Sequence, residues 1–312
     1  MSMSYLKRIE KGLLSRKKSV LEDKALFHSI RNLPTLPFVT TKVMETMNNP
    51  RSSASDLSKI ISSDESLAAK VLRLVNSAYY GFPKPITTIS HAVTILGFNT
   101  LRTIVVGISV SGLFPGKSEE GIFSRKSLWL HNLGTAVGAK TLARKIGRPD
   151  SEEMFLAGLL HDVGKIILEE YVHEEFMNAV ENSHSQKIPL FMAEQKILGA
   201  HHGEVGKYLA DHWKLPAILS EAIRWHHELE NTKEFQEVAA IVHTANHLAR
   251  TLKIGNSGDF SPLTIHPAAT SMLHHYNINP EDLTDEIKWG VKECKAFLEM
   301  GQESEKDPKT TS

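Results

Sequence analysis

The sequence predicts an all-α protein. Apolar residues recur at three- and four-residue spacing along most of the 312 residues, and no run of strict apolar–polar alternation bounded by turn residues interrupts them. With 41% hydrophobic residues the chain has enough apolar side chains for a multi-helix bundle with a buried core.

Residues 36–47, 55–62 and 66–77 read as three short helices, with Asp56 and Ser66 as N-terminal caps. Asn48-Asn49-Pro50 and Tyr80-Gly81-Phe82-Pro83 read as stops, and helices over 88–96 and 99–113 follow. Pro115-Gly116-Lys117-Ser118 and the two glutamates behind it form the clearest linker. It divides the chain into an N-terminal extension (1–27), an N-terminal helical subdomain (28–115) and a histidine-rich helical subdomain (116–300). The second subdomain opens with a long helix over 122–146. Helices near 152–159, 161–169, 173–183, 189–197, 202–213, 216–228, 235–251 and 281–299 follow. The polar tail GQESEKDPKTTS (301–312) has nothing to bury and is expected to be disordered.

Composition excludes several classes of function. Lys and Arg (36) balance Asp and Glu (36), so the chain lacks the net positive charge of a dedicated nucleic-acid binder, and no nucleic-acid partner is expected. The one basic concentration, Lys7, Arg8, Lys11, Arg16, Lys17 and Lys18, alternates with leucine and isoleucine and reads as a solvated helix. The most apolar stretch, Val93 to Phe114, is broken by Asn99, Arg102 and several Gly and Ser, so no membrane span is expected. A single cysteine, Cys294, cannot form an internal disulfide, and the start of the chain lacks a signal-peptide pattern; a reducing cytoplasm fits both.

Histidine carries the chemistry. Fourteen of the 16 lie between His131 and His275, several beside one another or beside a carboxylate. In LAGLLHDVGKIIL, His161 and Asp162 stand between an apolar run and Gly164-Lys165, at the junction of two predicted helices. An imidazole and a carboxylate together suit Zn, Mn, Fe, Ni or Co. The dipeptide gains weight from His131 in LWLHNLG, from HHGEVG at 201–206 and from WHHELE at 225–230, each in or next to a predicted helix. Ligands converging from several helices are a recurrent way for all-α folds to hold metal ions.

These motifs resemble a known superfamily. LLHDVGK, with an earlier His and a later His-His pair, is similar to the HD superfamily of metal-dependent phosphohydrolases, and in its histidine richness to the HD-GYP cyclic-dinucleotide phosphodiesterases. The segment LPTLPFVTTKVMETMNNPRSSASDLSKIISSDESLAAKVLRLVNSAYYGFPKPITTISHAVTILGFNTLR resembles the start of the bacterial HDOD signalling domain, and the two likenesses together cover about residues 28–250. The resemblance implies metal ligands at His131, His161, Asp162, His202, His226 and His227, with His202 rather than His201 because it precedes Gly206 by four residues. It places the superfamily's last ligand, an Asp, at Asn246 in IVHTANHLA, where a neutral amide would weaken one metal position. The DGxGYP stretch that follows HHE in the cyclic-dinucleotide enzymes is absent from HHELENTKEF.

Two functional readings follow from the resemblance. In one, one or two divalent transition metal ions (Fe, Mn, Zn or Ni) serve phosphoester or nucleotide hydrolysis, with Asp162 in the catalytic set and Lys165 neutralising phosphate charge; no organic cofactor is implied. In the other, the same residues hold a structural or vestigial metal, and the N-terminal helices dock a signalling protein. Other features take plainer readings: His243 and His247 as polar positions beside Asn246, His274 and His275 at the surface, Tyr79, Tyr80 and Phe82 anchoring the N-terminal subdomain, and Trp225 as packing.

Overall fold

The computed structural model describes residues 33–47, 51–114 and 121–294, together with Leu26 and Ile30. Among them every regular element is helical. The predicted linker at 115–118, the basic N-terminal segment, the stop at 48–50 and the polar tail lie outside the described residues.

The first five helices are α1 (Phe38–Met47), α2 (Ala54–Ser62), α3 (Glu65–Val75), α4 (Ile89–Leu96) and α5 (Phe98–Ser111). The caps differ from the sequence expectation. Ser53, not Asp56, caps α2: its hydroxyl accepts the Asp56 N–H while the Asp56 carboxylate accepts the Ser53 N–H, a reciprocal capping box. Asp64, not Ser66, caps α3 by accepting the Leu67 N–H. Helix α3 also ends earlier than predicted, at Val75, where the Asn76 side chain bridges the Leu72 carbonyl and the backbone of Ile86. Local carboxylates compete for the same orphan N–H groups, so sequence alone does not rank them. Helix α5 is buried on all faces from Thr100 to Val106, and α1, α3 and α4 pack around it.

The remaining helices are α6 (Arg125–Lys145), α7 (Ser151–Leu160), α8 (Val163–Tyr171), α9 (His173–Gln186), α10 (Leu190–Leu198), α11 (His202–His212), α12 (Ala217–Trp225), α13 (Gln236–Thr251), α14 (Pro267–His275) and α15 (Thr284–Glu293). Helix α14 was not expected from the sequence; His266 caps it through its ring and Pro267 takes the first helical position. Residues 281–283, predicted as the start of the last helix, belong instead to a separate 3₁₀ turn, Pro280–Leu283.

Helix α6, about 30 Å long, is the axis of this half, buried from Leu128 to Ala143 and packed on α7 and α13. Its neighbours approach closely because glycines stand at the crossings. A Cβ on Gly158 would lie 2.7 Å from the Thr135 carbonyl oxygen of α6. On Gly164 it would lie 2.0 Å from the His202 carbonyl oxygen, so α8 and α11 meet backbone to backbone there, with Gly206 on the facing side. Gly255, at φ +64°, carries the following loop against α6, where a Cβ would lie 2.2 Å from the Ser127 carbonyl oxygen.

The N-terminal helices lean on α6 and α7. Arg102 of α5 is ion-paired with Glu153, and the buried Lys140 ammonium pairs with Glu152 at 2.7 Å while lying 5.1 Å from the Tyr79 ring centroid. Tyr79 also packs on Phe155. Buried apolar side chains form one cluster from Leu26 to Cys294 that crosses between the two halves.

The α8–α11 contact yields a test. Gly164→Ala should destabilise the chain by about 1–3 kcal/mol, because the helices must separate to admit the methyl group. Urea unfolding followed by circular dichroism measures this, and an unchanged midpoint would show that the crossing is not close.

Candidate metal centre

The HD dipeptide fills the gap between two helices. Helix α7 ends at Leu160 and α8 begins at Val163, leaving His161 and Asp162 as the junction. At the end of a helix the last carbonyls lack partners, and here one is used to fix an imidazole: His161 Nδ1 lies 2.7 Å from the Gly158 carbonyl oxygen. A carbonyl oxygen only accepts, so Nδ1 carries the proton and Nε2 presents its lone pair. His226 repeats the device one residue past α12, donating from Nδ1 to the Ile223 carbonyl at 2.8 Å.

All six of the sequence-predicted ligands come together around the Asp162 carboxylate, which is fully buried. One oxygen, Oδ1, faces His202 Nε2 at 3.3 Å and His226 Nε2 at 3.8 Å, and His227 Nε2 lies 3.0 Å from His202 Nε2. The other, Oδ2, faces His161 Nε2 at 3.3 Å and His131 Nε2 at 3.9 Å. Lys165, one turn along α8, also reaches Oδ2, donating to it at 2.6 Å and to the Ser257 carbonyl at 2.9 Å. Lys165 is itself buried, and its ammonium is directed at Asp162 and this carbonyl.

Asn246 is buried on α13, with its amide oxygen lacking a hydrogen bond among the described residues. His201, one residue before His202, is also buried but turns away from Asp162 and bonds Glu228 and Arg224. Of the residues read plainly from sequence, His243 donates from Nδ1 to the His226 carbonyl and accepts the His266 N–H, bracing the segment that carries His226. Glu194 was missed. Its Oε2 accepts the His202 backbone N–H at 2.9 Å and lies 2.6 Å from His202 Nδ1, which aims Nε2 at Asp162. The signal was an acidic residue on the apolar stripe Leu190, Ala193, Ile197 of a helix.

The electrostatics follow from burial and one carboxylate. Burial pushes the Asp162 carboxyl up, but His161, Lys165 and His202 outweigh it and hold the group well below the usual carboxylate range. Burial lowers His202, His226 and His227 well below the ordinary imidazole value and His131 to about 3. Glu194 is pushed up to about 8 by burial. These four imidazoles are therefore neutral donors at physiological pH. Bare lone pairs on His226 Nε2 and Asp162 Oδ1 facing each other without a hydrogen bond repel, and a cation between them removes the repulsion. Two ligands of one tetrahedral ion bound at 2.0–2.1 Å stand about 3.3–3.4 Å apart, close to the spacings around Oδ1. The donor set thus fits a divalent transition metal.

A pocket opens beside the centre. Its volume is about 300 Å³, and it is lined by Phe191, His227, His243, Asn246, His247 and Arg250 among others. His227 is the only one of the six cluster residues on its wall, and its ring stacks on Phe191 with centroids 4.8 Å apart. No helix among the described residues is long and apolar enough to cross a membrane.

An all-α bundle that gathers histidines from several helices around an HD dipeptide defines an HD-type protein, and comparison with known proteins narrows this. A family model of the HDOD domain matches residues 33–229, and the chain belongs to that family. It is 28% identical over 225 residues to an uncharacterized protein of Treponema pallidum (strain Nichols), covering 72% of this chain and 43% of that protein. To the uncharacterized protein YuxH of Bacillus subtilis (strain 168) it is 26% identical over 188 residues, 57% of this chain and 45% of that one. The chain therefore spans less than half the length of these curated relatives. Among solved structures, an HDOD domain protein of unknown function from Geobacter sulfurreducens superposes with a TM-score of 0.75 at 26% identity, covering 91% of this chain and 98% of that one. A proposed phosphohydrolase from Shewanella amazonensis SB2B superposes with a TM-score of 0.67 at 25% identity, covering 89% and 97%.

The buried imidazoles make stability depend on pH. The unfolded chain protonates each near 6.5, whereas folded His131 stays neutral to about pH 3, so stability is full above 6.5 and falls as the pH drops below it. At pH 5 His131 alone should cost metal-free protein about 2 kcal/mol relative to pH 7. Urea midpoints of chelator-treated wild type and His131→Gln at both pH values check this. Equal losses in the two proteins would show that His131 is not held neutral.

Proposed function

We propose that this chain is an HDOD-type signal-transduction domain that binds a divalent transition metal through His202, His226, His227 and Asp162, with His131 and His161 beside them. The observation that carries the reading is Asp162 Oδ1: buried, without a hydrogen bond, and faced by the Nε2 atoms of two imidazoles. Burial at this depth suits a metal that fixes the arrangement of α8, α11 and α12, and so couples metal occupancy to the shape of the domain and to a protein partner. A cytoplasmic setting is part of the same reading, since the single cysteine cannot form an internal disulfide.

A second reading, phosphoester hydrolysis, is favoured by the pocket beside His227. A bound ion would supply Lewis acidity toward a phosphoryl oxygen and an acidified water. Here the chain's own contribution is positional. Phe191 and His227 form a flat wall, Arg250 stands in the lining with one guanidinium nitrogen holding the Asp259 and Ser261 carbonyls, and a volume near 300 Å³ is at the small end for ligand sites. The pocket suits a small phosphomonoester or mononucleotide better than a cyclic dinucleotide, in keeping with the missing DGxGYP stretch.

Elemental analysis of tag-free protein decides between metal and no metal. Wild type should carry bound transition metal and Asp162→Ala none, with both retaining helical circular dichroism; no metal in wild type after anaerobic reconstitution with Fe, Mn, Zn or Ni would overturn the reading. Asn246→Asp should tighten metal binding by restoring an anionic oxygen, measured by competition with a chromophoric chelator. An unchanged affinity would place Asn246 outside the centre.

A further inference from the structure

The six ligands form two sets that share Asp162, and at first sight they offer room for two ions. We propose that the centre holds one divalent ion, in the set Asp162 Oδ1, His202, His226 and His227, and that the Lys165 ammonium takes the place of a second ion at Oδ2. This rests on the metal-binding reading above and specifies its stoichiometry and location.

The two sets differ in what already occupies their carboxylate oxygen. Around Oδ1 there are four donor atoms from one Asp and three His, all within 4.8 Å of one another, and Oδ1 makes no hydrogen bond. Four donors complete a tetrahedral ion. Around Oδ2 there are only two imidazoles, and the oxygen already accepts from Lys165 Nζ at 2.6 Å. An ion coordinated to Oδ2 at 2.0–2.2 Å cannot be more than about 4.8 Å from that ammonium. Lys165 is 1% exposed and is tied on its other side to the Ser257 carbonyl, so it has neither water to screen the repulsion nor a free path away from it.

The charge balance points the same way. Asp162 is the only carboxylate in either set, and the nearby Glu194 is turned to the Nδ1 and backbone N–H of His202. Asn246 is neutral. One ion plus Lys165 leaves three positive charges against one negative; two ions would leave five against one in a buried site. His131 weighs on the other side, since neither of its ring nitrogens has a hydrogen-bond partner, but its Nε2 stands 3.9 Å from Oδ2, farther than His161 Nε2 at 3.3 Å. Lys165 thus replaces a metal ion as the permanent cation of the Oδ2 side, and His131 and His161 line it without ligating.

The test counts metal and needs no substrate. Full-length protein is stripped with chelator, reconstituted separately with Mn, Fe, Zn or Ni, desalted, and analysed for metal per chain. Wild type should hold one equivalent. His131→Gln should also hold one, with affinity changed less than about threefold. His226→Gln should lose more than the roughly 10–100-fold in affinity that removal of a supporting partner alone costs. Lys165→Met should rise toward two equivalents, with circular dichroism confirming that it is folded; should it fail to fold, the His131→Gln and His226→Gln pair still decides. Two equivalents in wild type, or loss of the single equivalent in His131→Gln with retention in His226→Gln, would overturn the proposal while leaving metal binding intact. No metal in wild type would overturn both.

Discussion

The structure depends on one buried carboxylate. Asp162 is withdrawn from water at the junction of α7 and α8, and a buried anion persists only where cations or hydrogen-bond donors surround it. The chain meets this demand with one ammonium, from Lys165 one turn away, and with imidazoles delivered from α6, α11 and the end of α12. Those imidazoles are neutral and turn lone pairs toward the anion. That is an unfavourable arrangement for an empty core and a favourable one for a cation. A protein that is otherwise locally consistent carries such a conflict where function requires it.

Much of the surrounding architecture serves to hold these imidazoles close to the Asp162 carboxylate, at 3.3–3.9 Å. His161 and His226 are fixed in the same way, each closing an orphan carbonyl of the helix before it, so the ends of two helices set the tautomers. Glu194 sets His202 from behind, and His243 braces the backbone of His226. Glycines at 158, 164 and 206 let α7 and α8 approach α6 and α11 closely enough for the rings to meet. The N-terminal helices lie away from these contacts and lean on α6 and α7 through Arg102–Glu153 and the Lys140–Tyr79 pair. A change in how they sit would be felt by the helices that carry His131 and the HD dipeptide, which gives the chain a physical path between its two halves.

The candidate site gathers many ligand-type side chains yet is poorly exposed. Under the two readings proposed above, hydrolysis and metal-coupled signalling would use the same residues and part ways at access. Only His227 reaches the pocket, so a phosphorylated ligand would have to approach past Phe191, Arg250 and the loop that holds Arg250. The loop that follows Gly255 does double duty there, supplying the Ser257 carbonyl to Lys165 and the Asp259 and Ser261 groups to Arg250.

The sequence by itself determined the helical class and the order of most helices, because apolar periodicity is local, and its resemblance to the HD superfamily singled out the six residues that meet at Asp162. The sequence also preferred His202 to His201 through that resemblance; His201 is buried and turned onto Glu228. It did not reveal α14, whose short segment has a weak periodic signal, nor the caps at Ser53 and Asp64, where neighbouring polar side chains compete for the same N–H groups. Glu194 was hidden because its partner lies on another helix, and the apolar stripe around it reads as core. Only the tertiary structure decided that Lys165 turns to Asp162 rather than outward and that Oδ1 is left free while Oδ2 is taken. Those outcomes depend on contacts such as Lys165 Nζ to the Ser257 carbonyl at 2.9 Å, between segments some ninety residues apart, and spacing along a chain does not encode distances of that kind.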